Sequence, residues 1–207
     1  MMDDVRDLKE LQLDALREVA NIGGGHAATA LSQMTNRRIM ISVPKIFVSH
    51  LDEVSGQIFD PGAPVAGVLM HMMGDLTGRT LLLVPEANAT VLCDLLMSRA
   101  VGTTQHLGVL EQSALKEAGN ILGAAYLNAL SDFMKMMVLP SVPSLVIDAA
   151  GAVVSSAYLN FGRERDYVFC IETQFEFDEA GRILPGYFLL LPDLVSLRAI
   201  LDAIGLG

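Results

Sequence analysis

Cysteine is scarce in this chain of 207 residues. There are two, Cys93 and Cys170, and no CxxC spacing joins them to anything that would hold zinc or run dithiol chemistry. Both sit inside apolar runs, Cys93 in a predicted helix and Cys170 in a predicted strand, and they read as reduced core thiols of a cytoplasmic protein. Basic residues are also in the minority. With 14 Lys+Arg against 24 Asp+Glu, the net charge is −10 and the pI about 4.7. Nucleic acid and anionic membrane would be repelled, and a basic protein surface is the better-matched partner. No apolar run reaches membrane-span length, because Asp, Asn, Gly or Pro interrupts each one. The opening Met1-Met2-Asp3-Asp4 has neither the basic nor the apolar region of a signal peptide. The mean hydropathy of +0.44 therefore points to a large core. No linker or low-complexity tract divides the chain, which reads as one domain.

What is present is a repeat. The segment Leu16-Arg17-Glu18-Val19-Ala20-Asn21-Ile22 returns 99 positions later as Leu115-Lys116-Glu117-Ala118-Gly119-Asn120-Ile121, and residues 16–34 and 115–133 share 8 identities in 19. In both copies Ser-Val-Pro follows at the same distance, ending at Pro44 and Pro143. The apolar identities are what a common core requires. Glu and Asn are not, since a packed interior has no need for a carboxylate and a carboxamide at fixed positions. The domain is expected to be two repeats, about residues 9–107 and 108–207.

Apolar residues at three- and four-residue intervals predict helices over 5–34 and 111–134. The glycines at 23–25 resemble a break, but their counterparts at 122–124 lie in an uninterrupted helical pattern. The first helix is therefore expected to continue through them, with another backbone approaching closely there. Strands are predicted over 39–47, 65–73 and 80–84, then over 168–177 and 187–191, with an acidic hairpin tip at 177–181. Each half closes on a proline-led helix, 85–100 and 192–204. The class is mixed α/β, a duplicated unit.

At 100° per residue, Asp14, Glu18 and Asn21 fall at about 0°, 40° and −20° on a helical wheel, opposite the apolar Leu16, Val19 and Ala20. Ser113, Glu117 and Asn120 repeat that geometry. One face of each helix is thus polar and the other is core. An Asn cannot serve as a base, but its amide can hold a water in line for attack, and a Glu can act as a base or pair with a partner's lysine. Ser113 is the only nucleophile in the motif. Asp14 takes its place in the first copy, which argues against a covalent intermediate. The four histidines lack metal-like spacing, the methionines read as core filling, and the Gly-Gly-Gly-His run matches no phosphate-binding loop.

The pattern Asp/Ser-x3-Glu-x2-Asn-x22-Pro, present twice and spanning essentially the whole chain, resembles the CheC/CheX/FliY family of chemotaxis phosphatases. Two sites in one chain match its CheC-like form. The resemblance implies a pseudo-two-fold fold, with two long helices side by side on a sheet. It also implies dephosphorylation of the aspartyl phosphate of the response regulator CheY, with Mg²⁺ held by CheY and no cofactor in this chain. Asn21 and Asn120 would orient the hydrolytic water and Glu18 and Glu117 would bond a CheY lysine. Asp14, Ser113, Pro44 and Pro143 would support the docking helices. A second partner, the receptor deamidase CheD, would meet residues 144–153, around Asp148, unless that segment is plain core. The chain is expected to act as a monomer. The rival reading is a non-catalytic adaptor that sequesters phosphorylated CheY and CheD.

Overall fold

In a computed structural model that describes residues 5–158, 167–179 and 182–207, the repeat reappears element by element. Helix α1 (Glu10–Thr35), strands β1 (Ile39–Ile41) and β2 (Lys45–His50) and helix α2 (Leu51–Ile58) are followed by β3 (Pro64–Gly74), β4 (Gly78–Pro85) and α3 (Glu86–Leu96). The second half gives α4 (Val109–Met134), β5 (Val138–Pro140), β6 (Ser144–Ala149), α5 (Ala150–Tyr158), β7 (Tyr167–Glu179), β8 (Arg182–Pro192) and α6 (Leu194–Ala203). The first four elements of each half begin 99 residues apart. Even the helix ends match: Asn36 and Lys135 both cap in the left-handed region, at φ 51° and 57°, and their N–H groups donate to Ser32 O and Ser131 O.

All strands pair antiparallel in one sheet ordered β1-β7-β8-β4-β3-β5, with β2 also on β7 and β6 also on β3. Each half's short strands thus lie against the long hairpin of the other half. The single strand predicted over 39–47 is split at Ser42–Pro44 into β1 and β2, and both pieces cross over to β7. One further element of the first half, α2, and three of the second, β5, β6 and α5, escaped the pattern reading. Val5–Asp7 is a separate 3-10 turn rather than the start of the first helix. Residues 180 and 181, at the expected acidic hairpin tip, lie outside the described residues.

Alternation along the strands makes the sheet two-faced. On β4, Leu82 and Val84 enter the core formed with α1, α3, α4 and α6, while Leu81 and Leu83 enter a second core formed with α2 and α5. The cysteines are free and buried, Cys93 in α3 in the first core and Cys170 on β7 in the second.

The link between the halves is tied to a buried carboxylate. Asp94, on α3, is fully buried, and its oxygens accept hydrogen bonds from the N–H groups of Gly102 (2.8 Å), Thr103 (3.1 Å) and Thr104 (3.0 Å) and from the Thr104 hydroxyl (2.7 Å). Burial alone would raise this carboxyl. The Thr104 hydroxyl and the three backbone donors together outweigh that and hold it below the ordinary aspartate range. A depressed folded value means that Asp94 contributes stability above the unfolded pKa of about 4, and that the contribution is lost as pH falls through the folded value. Asp94→Ala is expected to cost about 2–3 kcal/mol at neutral pH by orphaning buried donors. Urea titrations at pH 7 and at acid pH should show the gap between variant and parent narrowing as the carboxyl protonates; a constant gap would contradict this.

Candidate functional site

The polar stripes predicted for the two long helices stand at the surface. On α1, Asp14, Glu18 and Asn21 are exposed while Leu16, Val19 and Ala20 are buried. On α4, Ser113 and Glu117 are exposed and Asn120 half-buried, above buried Leu115, Ala118 and Gly119. Helix periodicity therefore gathers each Glu and Asn on one face, and the two helices pack side by side. Asp14 is ion-paired with Arg17 one turn on, a partner that the sequence reading missed although the i,i+3 spacing offered it. Ser113 has Lys116 at the equivalent spacing.

The three glycines of α1 serve different ends, and the helix does run through them. A Cβ at Gly23 would lie 2.8 Å from Cε1 of Tyr126 on α4, so the ring lies directly on the helix. The close approach expected there is thus made by an aromatic side chain, not by a backbone. Gly24 faces the sheet, where a Cβ would meet Thr173 Cγ2 at 3.0 Å and Ile41 Cδ1 at 3.5 Å. Gly25 faces open space one turn beyond Asn21, and Ala124 takes that position in the second copy.

Ile41, at the end of β1, packs beside Gly24, and the Ser42-Val43-Pro44 turn follows it directly. Pro44 is buried and Pro143 half-buried. Each Ser-Val-Pro turn is anchored on the opposite hairpin: Ser42 N–H donates to Gln174 O (3.0 Å) and Ser141 N–H to His71 O (2.9 Å). Asp148 belongs to neither stripe. It lies exposed on β6, its Oδ1 accepting from Ala149 N–H (2.7 Å), and β6 pairs with β3 alone among the described strands. Residues 144–153 are therefore an exposed edge strand leading into α5, and not a plain core segment.

The chemistry open to these stripes is limited. Burial, with Glu111 and Asp94 nearby, pushes the Cys93 thiol up to about 12, and burial raises Cys170 further, so neither is a thiolate at neutral pH. No three His, Cys, Asp or Glu side chains converge among the described residues in a way that could hold a metal ion. Glu and Asn on a convex helix face can bond, orient a water or pair with a cation. They cannot enclose a small substrate, so the remainder of any active site must arrive with the other reactant.

A model of the CheC-like family matches residues 11–48 and 110–147, two stretches 99 residues apart that carry both motifs through to their prolines. Over 200 residues the chain is 34% identical to the CheY-P phosphatase CheC of Bacillus subtilis, covering 96% of each protein. It is 30% identical over 134 residues to the flagellar motor switch phosphatase FliY of the same organism, covering 64% of this chain and 35% of that one. The crystal structure of Thermotoga maritima FliY superposes with a TM-score of 0.76 at 21% identity, covering 96% of this chain and 98% of that one. No helix among the described residues is long and apolar enough to cross a membrane.

Proposed function

This chain belongs to the CheC-like family, and from that membership we propose that it is a chemotaxis phosphatase hydrolysing the aspartyl phosphate of a CheY-type response regulator. The supporting observation is the pair of exposed Glu and Asn stripes, borne at equivalent positions of two packed helices. In this reading each helix lays its stripe over the phosphorylated aspartate of the regulator. The side-chain oxygen of Asn21 or Asn120 accepts a hydrogen bond from a water and aligns it with phosphorus. Water oxygen bonds to phosphorus, the phosphorus–oxygen bond to the aspartate breaks, and the carboxylate departs with the electron pair. The water's proton passes to phosphate and solvent. Glu18 and Glu117 pair with a lysine of the regulator and fix the register of docking. Asp14, held by Arg17, and Ser113 flank the stripes, and Pro44 and Pro143 brace the turns beside them. The regulator supplies Mg²⁺; this chain supplies no cofactor and works as a cytoplasmic monomer with two sites.

A second reading, an adaptor that docks phosphorylated CheY and CheD without turnover, draws on the exposed edge of β6. There Asp148 lies beside exposed Val146 and Ile147, a surface suited to a CheD-type partner. Phosphate release separates the two readings. The chain is expected to accelerate hydrolysis of the phosphorylated regulator and to leave acetyl phosphate untouched, because the same bond without the partner's lysine and Mg²⁺ meets no complete site. Acceleration of both would contradict the shared-site mechanism, and acceleration of neither would favour the adaptor.

A further inference from the structure

A site without walls must obtain its affinity from the surface around it, and that surface carries apolar side chains where solvent exposure disfavours them. Leu11 and Leu110 are 66% and 58% exposed, and Val43 and Val142 are 76% and 89% exposed. Each pair is separated by 99 residues, so both halves have kept an exposed hydrophobe at the same position while most of the surrounding sequence diverged.

Their placement is specific. Leu11 lies two helical turns before Glu18, about 20° from it on the wheel and about 10 Å away along the axis. Leu110 stands in the same relation to Glu117. Val43 and Val142 directly precede Pro44 and Pro143, on turns whose backbones are tied down through Ser42 and Ser141. A β-branched side chain on a fixed turn loses little freedom on contact, which makes it an inexpensive anchor. Leu11 and Leu110 are therefore continuous with the Glu and Asn stripes along α1 and α4, and Val43 and Val142 stand on the anchored turns that follow β1 and β5. A third matched pair, Met40 and Leu139, is 48% and 50% exposed, but Met40 points away from the helices, since its neighbours Ile39 and Ile41 pack into the helical core.

We infer that Leu11 with Val43, and Leu110 with Val142, are apolar docking anchors that seat the folded receiver of the phosphorylated regulator on each site and set its affinity, while Glu and Asn act on the phosphate. The inference deepens the proposed function and rests on it for the identity of the occupant. These are positioning residues, and their substitution should alter binding and KM without altering kcat.

The test uses the full chain and the regulator, both phosphorylated and held in its phosphorylated form with beryllium fluoride. Leu11→Ser with Leu110→Ser, and separately Val43→Ser with Val142→Ser, are each expected to raise Kd and KM about five- to tenfold with kcat within about twofold, the scale of a moderate interface contact. Leu11→Met with Leu110→Met should restore both constants. Met40→Ser with Leu139→Ser should leave them unchanged. Unaltered Kd in the serine variants, a fall in kcat instead, or an equal rise in the Met40 and Leu139 control would overturn the inference. Because Kd is read without turnover, failure of docking appears there. Failure of the phosphatase reading appears as absent kcat in the intact protein.

Discussion

Alanine at both Asn21 and Asn120 is expected to abolish acceleration of phosphate release from the regulator while leaving its binding nearly intact. The argument is one of chemistry and exposure. Neither carboxamide is needed to fold the chain: Asn21 is exposed and Asn120 half-buried, each on the outer face of a helix. Alanine is also the better helix former at both positions. What disappears, on the proposed mechanism, is the group that holds one water in line. Loss of a single positioned hydrogen-bonding group in an active site costs about 10²- to 10³-fold in rate. An acyl phosphate hydrolyses unaided at an appreciable rate, so such a loss would return the reaction to its background. Single-turnover phosphate release and equilibrium binding on the same double variant check this. A matched loss of binding would move the asparagines from chemistry to docking.

The second large effect concerns stability. Tyr126→Ala is expected to cost about 3–5 kcal/mol and to lower the midpoint of thermal unfolding by about 10 °C. Tyr126 is fully buried between the two long helices and the sheet, its ring lying on Gly23 and centred 4.8 Å from that of Phe188. Truncation removes the ring and leaves a cavity that rigid neighbours cannot close. Tyr126→Phe should cost far less, about 1 kcal/mol, because the ring stays in place and only the buried hydroxyl beside Thr173 is lost. Gly23 gives the argument a sharper edge. Gly23→Ala alone crowds the ring and should destabilise, whereas on the Tyr126→Ala background it should stabilise by partly filling the void. That change of sign in a double-mutant cycle followed by calorimetry is the signature of direct contact. Additive effects would mean that the ring and the glycine do not share the space.

The two long helices and their polar faces were legible in the sequence because a 3.6-residue period leaves an unmistakable record over 26 residues. The duplication was legible for another reason: Glu18 and Asn21 recur with Pro44 at one fixed offset as Glu117, Asn120 and Pro143. The strand partners were not. Which strand receives residues 39–41 and 45–50 is decided by how two whole halves interlock, and no local pattern records that they cross to β7. Helices α2 and α5 were hidden because each follows its strand directly, at His50–Leu51 and Ala149–Ala150, and runs for only 8 and 9 residues, too short for a helical period to show. The role of Asp94 was hidden as well. It stands within the apolar run Val91-Leu92-Cys93-Asp94-Leu95-Leu96, and its four donors become visible only once the following turn folds back onto it.

The proposal of two equivalent sites in one chain makes a quantitative claim, and four proteins test it: the intact chain, Asn21→Ala, Asn120→Ala and the double variant. Each is mixed with phosphorylated regulator in Mg²⁺, and the rate of phosphate release is measured. The account predicts that each single variant keeps a substantial part of the intact acceleration and that only the double variant falls to the rate of the regulator alone. Full acceleration surviving in the double variant, or none in the intact chain, would contradict it.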